Sequence, residues 1–191
     1  MKKLIFIFLI VFNQTVYAEY QTVALKADNL ITNPGNFFDL SLLYDVSDGD
    51  NALSGLSLAI HFDSNKLQLL DKKITNIFSF GASAPLIRNE KDTENDNDEN
   101  TDKVVVFFWS KPFDNNWPNQ SLPLELAKLK FIVKSVTGKT NINTSALSTS
   151  LGYEFKATNI CVKIIKKGDS NMDGYINIKD ILNLLNYIIK L

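Results

Sequence analysis

The sequence holds one cysteine, Cys161, and one histidine, His61, in 191 residues. A single thiol excludes an internal disulfide, so the chain must be held by its core and by any ion it binds. Cys161 reads as an inert strand thiol. His61 lacks the sequence neighbours of a nucleophile–histidine dyad or a metal site and reads as a surface imidazole. Neither sign of charge dominates. The 20 Lys+Arg against 21 Asp+Glu leave a net charge of −1, which gives no basic stripe and no expected nucleic-acid partner. The apolar run 4–12 is too short to span a bilayer. It follows Met1-Lys2-Lys3 and precedes Val16-Tyr17-Ala18, the basic, apolar and small-residue order of an export signal cleaved after Ala18. No cysteine follows that site, so lipoprotein attachment is not expected. Residues 1–18 are expected to be a signal peptide. The mature chain is expected to be secreted, extracellular or periplasmic, with no membrane span after signal removal.

Asp, Asn and Gly are concentrated instead near the end of the sequence, in Gly168-Asp169-Ser170-Asn171-Met172-Asp173-Gly174-Tyr175-Ile176-Asn177-Ile178-Lys179-Asp180. Counting from Asp169, oxygen side chains occupy loop positions 1, 3, 5, 9 and 12, with glycine at 6 and an apolar residue at 8. This is the ligand spacing of a calcium loop of about twelve residues. Calcium takes about six to eight oxygen ligands, so a short segment must curl tightly around it. Asp169, Asn171 and Asp173 alternate, which lets successive side chains point inward. Gly174 permits the sharp turn. Tyr175 would offer its backbone carbonyl, Asn177 would bind directly or through water, and Asp180 would close the loop. Ca2+ is the expected cofactor, held by Asp169, Asn171, Asp173, Tyr175, Asn177 and Asp180. The competing reading is an Asp/Asn/Gly turn before a helix that Asp180 caps. Downstream, Ile181, Leu182, Leu185, Ile188 and Ile189 recur at helical steps. So short a helix needs its apolar stripe to pack on something.

Residues 20–166 read as β-structure. Val23, Leu25 and Ala27 alternate with polar residues, as do Phe38, Leu40, Leu42, Tyr44 and Val46, then Leu56, Leu58, Ile60 and Phe62. Ala127, Leu129, Phe131 and Val133 follow, then Ile160, Val162 and Ile164. A period of two buries one face of a strand and wets the other. The run 104–109 is apolar on both faces and reads as a central or covered strand. Turn signals at Asn33-Pro34-Gly35, Asp48-Gly49-Asp50-Asn51 and Thr137-Gly138-Lys139 punctuate the strands. Many short strands with such punctuation predict a mainly β jelly-roll β-sandwich, with a short C-terminal calcium-loop-plus-helix unit.

Two segments depart from a plain sandwich. The acidic insert 90–102 reads as a solvated, mobile loop, with a second calcium on Asp96, Asp98 and Asp102 as the alternative. The segment 109–119 gathers Trp109, Phe113 and Trp117 with several amides. Exposed rings stack on sugars, which makes these three residues a candidate sugar or partner contact. The competing reading puts the rings in the core.

Residues 168–188 resemble the dockerin repeat, the calcium-loop-plus-helix unit of cellulosome-type assemblies. A complete type I dockerin has two such repeats, and one is present here. Loop positions 10 and 11 are Ile178 and Lys179 rather than small hydroxyl residues. The stretches 33–46, 53–71 and 126–135 resemble cohesin-type domains, including a strand followed by the corner Asp63-x-x-x-Leu67. The resemblance implies a non-catalytic protein: residues 20–166 as a cohesin-like sandwich, 167–191 as a single dockerin-like repeat. A protein partner is expected through the cohesin-like face or the C-terminal helix, with a link to extracellular polysaccharide. The alternative function is a carbohydrate-binding module that uses the 109–117 loop. Glycoside hydrolysis needs two opposed carboxylates in a cleft. The acids here cluster in the calcium loop and the insert, so no enzyme is expected.

Overall fold

A computed structural model describes residues 18–74, 86–89, 96–111, 113, 115–134, 137–171 and 173–190. The expected signal peptide therefore lies outside the described residues apart from Ala18, as do residues 90–95 of the acidic insert. The strands are β1 (Glu19–Ala27), β2 (Ile31–Thr32), β3 (Phe37–Val46), β4 (Ala52–Leu53), β5 (Gly55–Phe62), β6 (Leu67–Ile74) and β7 (Leu86–Asn89). They continue as β8 (Lys103–Ser110), β9 (Trp117–Pro118), β10 (Leu124–Val133), β11 (Gly138–Ser148), β12 (Tyr153–Thr158) and β13 (Ile160–Ile164), and the helix is α1 (Ile178–Ile189).

Two sheets form the layers of a jelly-roll sandwich. One has five strands in the order β12-β1-β3-β10-β6, the other six in the order β2-β13-β11-β5-β8-β7. β4 and β9 form a two-stranded patch. Most pairings are antiparallel, but β12 runs parallel to β1 and β2 parallel to β13. The core sits between the sheets. From one side come Phe38, Leu40, Leu42 and Tyr44 of β3 with Leu129 and Phe131 of β10; from the other, Leu58 and Ile60 of β5 with Val105 and Phe107 of β8. Phe131 joins the layers, stacking on Phe38 at 5.4 Å and meeting Phe62 edge-on at 5.2 Å. Burying one such side chain contributes about 1.5–3 kcal/mol.

The expected strands on 23–27, 38–46, 56–62, 104–109, 127–133 and 160–164 are present. Asp63 starts the expected corner: its carbonyl accepts from the backbone N–H of Lys66 and Leu67, and Leu67 plugs the core. Gly55 shows why backbone, not composition, fixes some positions. It has φ of 141°, and a Cβ there would lie 2.1 Å from the Trp109 carbonyl oxygen, so β5 approaches β8 only without a side chain.

Two expectations on this sheet are corrected. All eight residues of β5 are buried, so its outer face is not the wetter one. His61 is fully buried there, and its Nε2 lies 2.7 Å from Ser145 Oγ. Beside it Ala59, Val104 and Val106 form a second, small apolar cluster. An alternating pattern cannot reveal that a face of small and polar side chains is also covered.

The segment 96–102 is the second correction, because in place of a freely solvated loop it is bonded to the sandwich. Asn143 Nδ2 donates to Asp96 Oδ2 at 3.0 Å and to Asp98 Oδ2 at 3.2 Å, and Asn141 Nδ2 donates to Asp98 at 3.0 Å. The Asn141 amide, with Asn100, pulls the Asp98 carboxyl down to about 2. Asp102 turns away to accept from the backbone N–H and hydroxyl of Ser64, both at 2.6 Å. The three carboxylates proposed for a second calcium are thus divided between two partners.

Candidate calcium loop and partner surfaces

The loop is built by side chains that bond their own backbone. Asp169 is 4% exposed. Its carboxylate accepts from Gly174 N–H at 2.8 Å and Asp173 N–H at 3.1 Å, which curls positions 1 to 6 into a ring. Gly174 takes φ of 90° at the turn, where other residues are strained. Asn171 Oδ1 also accepts from Asp173 N–H, at 3.0 Å, and Asn171 Nδ2 donates to Asp173 Oδ2 at 3.0 Å. Asp173 Oδ1 accepts from Tyr175 N–H at 2.9 Å.

The helix closes this ring. Asn177 is its N-cap, and its side chain accepts from Lys179 N–H at 2.8 Å. Asp180, at the third helical position, accepts from Asn177 N–H at 2.7 Å and completes a capping box. The other oxygen of Asp180 reaches back to Asn171 N–H at 3.2 Å. Asp180 is 2% exposed. The Asn177 N–H, with those of Asn171 and Ser170, holds its carboxyl below the ordinary carboxylate range despite burial. The two readings of Asp180 are therefore not exclusive, since it caps the helix and closes the loop.

Asp169, Asn171, Asp173 and Asp180 thus belong to one hydrogen-bonded ring. Asn177 is attached to it through Asp180, although its own side chain serves the helix start. The Tyr175 ring is exposed, as expected if only its carbonyl faced an ion. Among the described residues, no three His, Cys, Asp or Glu side chains converge into a metal-holding group. Asn171 and the Tyr175 carbonyl would have to complete the shell. Every donor in that set is oxygen, which suits a hard cation such as calcium and not a thiophilic one.

Polar contacts tie α1 to the loop on one side only. Asn183 Nδ2 donates to the Ser170 carbonyl at 2.7 Å, and Ser170 Oγ donates to the Asp180 carbonyl at 2.6 Å. The opposite side carries Ile181, Leu182, Leu184, Leu185, Ile188 and Ile189, all between 47% and 79% exposed. No helix among the described residues is long and apolar enough to cross a membrane.

The aromatic segment follows its core reading at both tryptophans, which corrects Trp109 and Trp117 as candidate contacts. Trp109 and Trp117 are each 1% exposed. Trp109 lies flat on Phe107 at 5.4 Å, Trp117 packs on Tyr44 at 4.9 Å, and the two indoles stack at 6.4 Å. They plug one end of the core, and neither offers a face to a sugar. Alternation along β8 points Trp109 inward with Phe107, and pairing of β9 with β4 fixes Trp117. Phe113, between them, is 91% exposed and alone remains as a candidate contact.

With this geometry in place, the class of fold is defined: a cohesin-type jelly-roll β-sandwich. No family model matches the sequence, and no curated protein matches it. Solved structures do. A cohesin from Clostridium acetobutylicum shares 16% identity over 81% of this chain and 96% of its own, with a TM-score of 0.51. The sixth cohesin of scaffoldin B from Acetivibrio cellulolyticus, solved with a dockerin variant, shares 18% over 76% of this chain and 99% of its own, with a TM-score of 0.50. A cohesin module of a family 33 glycoside hydrolase from Clostridium perfringens shares 13% over 78% and 98%, also at 0.50.

Proposed function

We propose that this chain is an exported, non-catalytic interaction protein. Its cohesin-like sandwich binds a protein partner, and its C-terminal loop and helix form a dockerin-like unit ordered by calcium. The fold likeness to cohesins carries the reading, because one of those neighbours was solved with a dockerin bound. The closed ring of Asp169, Asn171, Asp173 and Asp180 supports the calcium part. Calcium would neutralise carboxylates that otherwise repel one another, and so fix the start of α1. With Trp109 and Trp117 in the core, no observation favours the carbohydrate-binding alternative.

Two measurements test the proposal. Calorimetry is expected to show calcium binding that disappears in the double variant Asp169→Ala, Asp173→Ala. Unchanged calcium heat in that variant would place the ion elsewhere. Immobilised chain without residues 1–18 is expected to retain individual purified dockerin modules or exported proteins identified from the same cell. Retention of none of them, in calcium or in chelator, would sink the interaction reading.

A further inference from the structure

Two of the eight glycines follow an aspartate, Gly49 after Asp48 and Gly174 after Asp173, and none follows an asparagine. An Asp-Gly bond rearranges without an enzyme. The glycine backbone nitrogen attacks the side-chain carboxyl carbon. A C–N bond forms, and the carboxyl hydroxyl leaves with the N–H proton as water. The cyclic imide then takes up water. Opening at the backbone carbonyl leaves the chain running through the side chain, as isoaspartate. Glycine favours the attack because no Cβ hinders its nitrogen. The step needs a free N–H beside a free carboxyl.

Both aspartates are exposed, so exposure does not separate the two bonds. Their anchors do. Asp48 is tied to the sandwich. Its carboxylate accepts from Asp50 N–H at 3.0 Å and from the Tyr153 hydroxyl of β12 at 2.7 Å. Gly49 N–H donates to the carbonyl of Val46, the last residue of β3, at 3.0 Å. The Asp50 N–H and the Tyr153 hydroxyl hold the Asp48 carboxyl below its ordinary range. At the second bond every partner is another residue of the loop. Gly174 N–H, the attacking group, donates to Asp169 Oδ2 at 2.8 Å, and the Asp173 carboxylate is held by Tyr175 N–H and the Asn171 amide. A bonded N–H reacts only when its local structure opens. Opening the sandwich frees the first bond, and opening the loop frees the second. We infer that Asp173-Gly174 is the site of spontaneous isoaspartate formation in this chain, and that the Gly174 N–H bond to Asp169 is its guard. The ion's share in keeping that loop closed rests on the calcium-ordered tail of the proposed function.

Prolonged warm incubation of the chain without residues 1–18 tests it, followed by peptide mapping with electron-transfer fragmentation, which tells isoaspartate from aspartate. Calcium binding is followed in parallel by calorimetry, and hydrogen exchange at Gly174 by NMR. Isoaspartate is expected to accumulate at position 173 and not at 48, several-fold faster in chelator than in calcium. Asp169→Ala is expected to make Gly174 exchange fast and to raise the rate at 173 several-fold, with tryptophan fluorescence reporting an intact sandwich. Acceleration by Asp169→Ala with no calcium heat and no effect of chelator upholds the guard and overturns the calcium reading alone. Isoaspartate at 48 as fast as at 173 overturns the inference. So does no gain at 173 in Asp169→Ala once Gly174 exchange has become fast. Slow exchange at Gly174 in that variant overturns it as well, because other bonds would then hold the N–H.

Discussion

At the scale of single residues, chemistry and place in the fold part company most at the tryptophans. Two indoles, a phenylalanine and several amides in one segment resemble a sugar platform by composition, but a ring can stack on a ligand only if a face is free. Trp109 and Trp117 spend their faces on Phe107, Tyr44 and each other. The expected outcome of Trp117→Ala is therefore a loss of about 3–5 kcal/mol of stability in urea unfolding, from lost contacts and the cavity left behind. Retention on polysaccharide affinity gels should not change. Weaker retention at undiminished stability would return the segment to the list of binding sites. His61 teaches the same lesson in reverse: a polar residue on the nominally wet side of a strand is buried against Ser145, and no residue near it in sequence announces that cover. The segment 169–180 is less exposed to this ambiguity, because its oxygen side chains lie within a dozen residues and its Asp169, Asn171, Asp173 and Asp180 join one hydrogen-bonded ring.

At the scale of elements, β3 and β11 mark what a sequence can and cannot disclose. β3 was legible because each inward position from Phe38 to Val46 is large and apolar, while the outward Asp39, Ser41 and Asp45 are polar and only Leu43 breaks the pattern. β11 lies in the middle of the six-stranded sheet, between β13 and β5, yet gives no alternating signal. Its inward positions include Thr140 and Thr144 beside Ile142, and its outward Asn141 and Asn143 are buried or bonded by Asp96 and Asp98. β12, paired parallel to β1, does alternate, with Tyr153 and Phe155 against the core and Glu154 and Lys156 outward, but a run of six residues that is mostly exposed gives only a short signal. The contact between β11 and the acidic segment has a pH signature. Asp98 is depressed to about 2 chiefly by the Asn141 amide. A depressed carboxyl contributes stability that is present above its unfolded value, about 4, and is lost as pH falls through the folded value. The stability conferred by Asp98 should therefore fade between pH about 4 and about 2. Asn141→Ala should move the Asp98 carboxyl back toward its unfolded value in a carbon-detected NMR titration and shrink that acid loss. An unmoved Asp98 would show that the segment is held by other groups.

At the scale of the whole molecule, stability is distributed unevenly. The sandwich has a continuous two-layer core, and the whole of its large-residue packing lies between Val23 and Ile164. The loop and α1 have no such core: apart from Asp180, every described side chain of the helix is partly or fully exposed, and the start of the helix is held by short polar bonds to residues 169–177. A helix of this length is marginal in water without tertiary support, so its order depends on the loop and on any ion the loop binds. Calcium should therefore act on the tail alone. The chain offers separate reporters for the two parts, because both of its tryptophans, Trp109 and Trp117, belong to the sandwich core, whereas the one helix among the described residues belongs to the tail. Adding chelator should remove most of the helical ellipticity and leave tryptophan fluorescence and its urea midpoint unchanged. If fluorescence and helix signal melt together, the tail and sandwich form one cooperative unit, and α1 must pack on the β-layers in solution. If neither responds to chelator while calcium still binds, the loop is ordered without its ion, as the side-chain bonds of Asp169, Asp173 and Asp180 alone would allow.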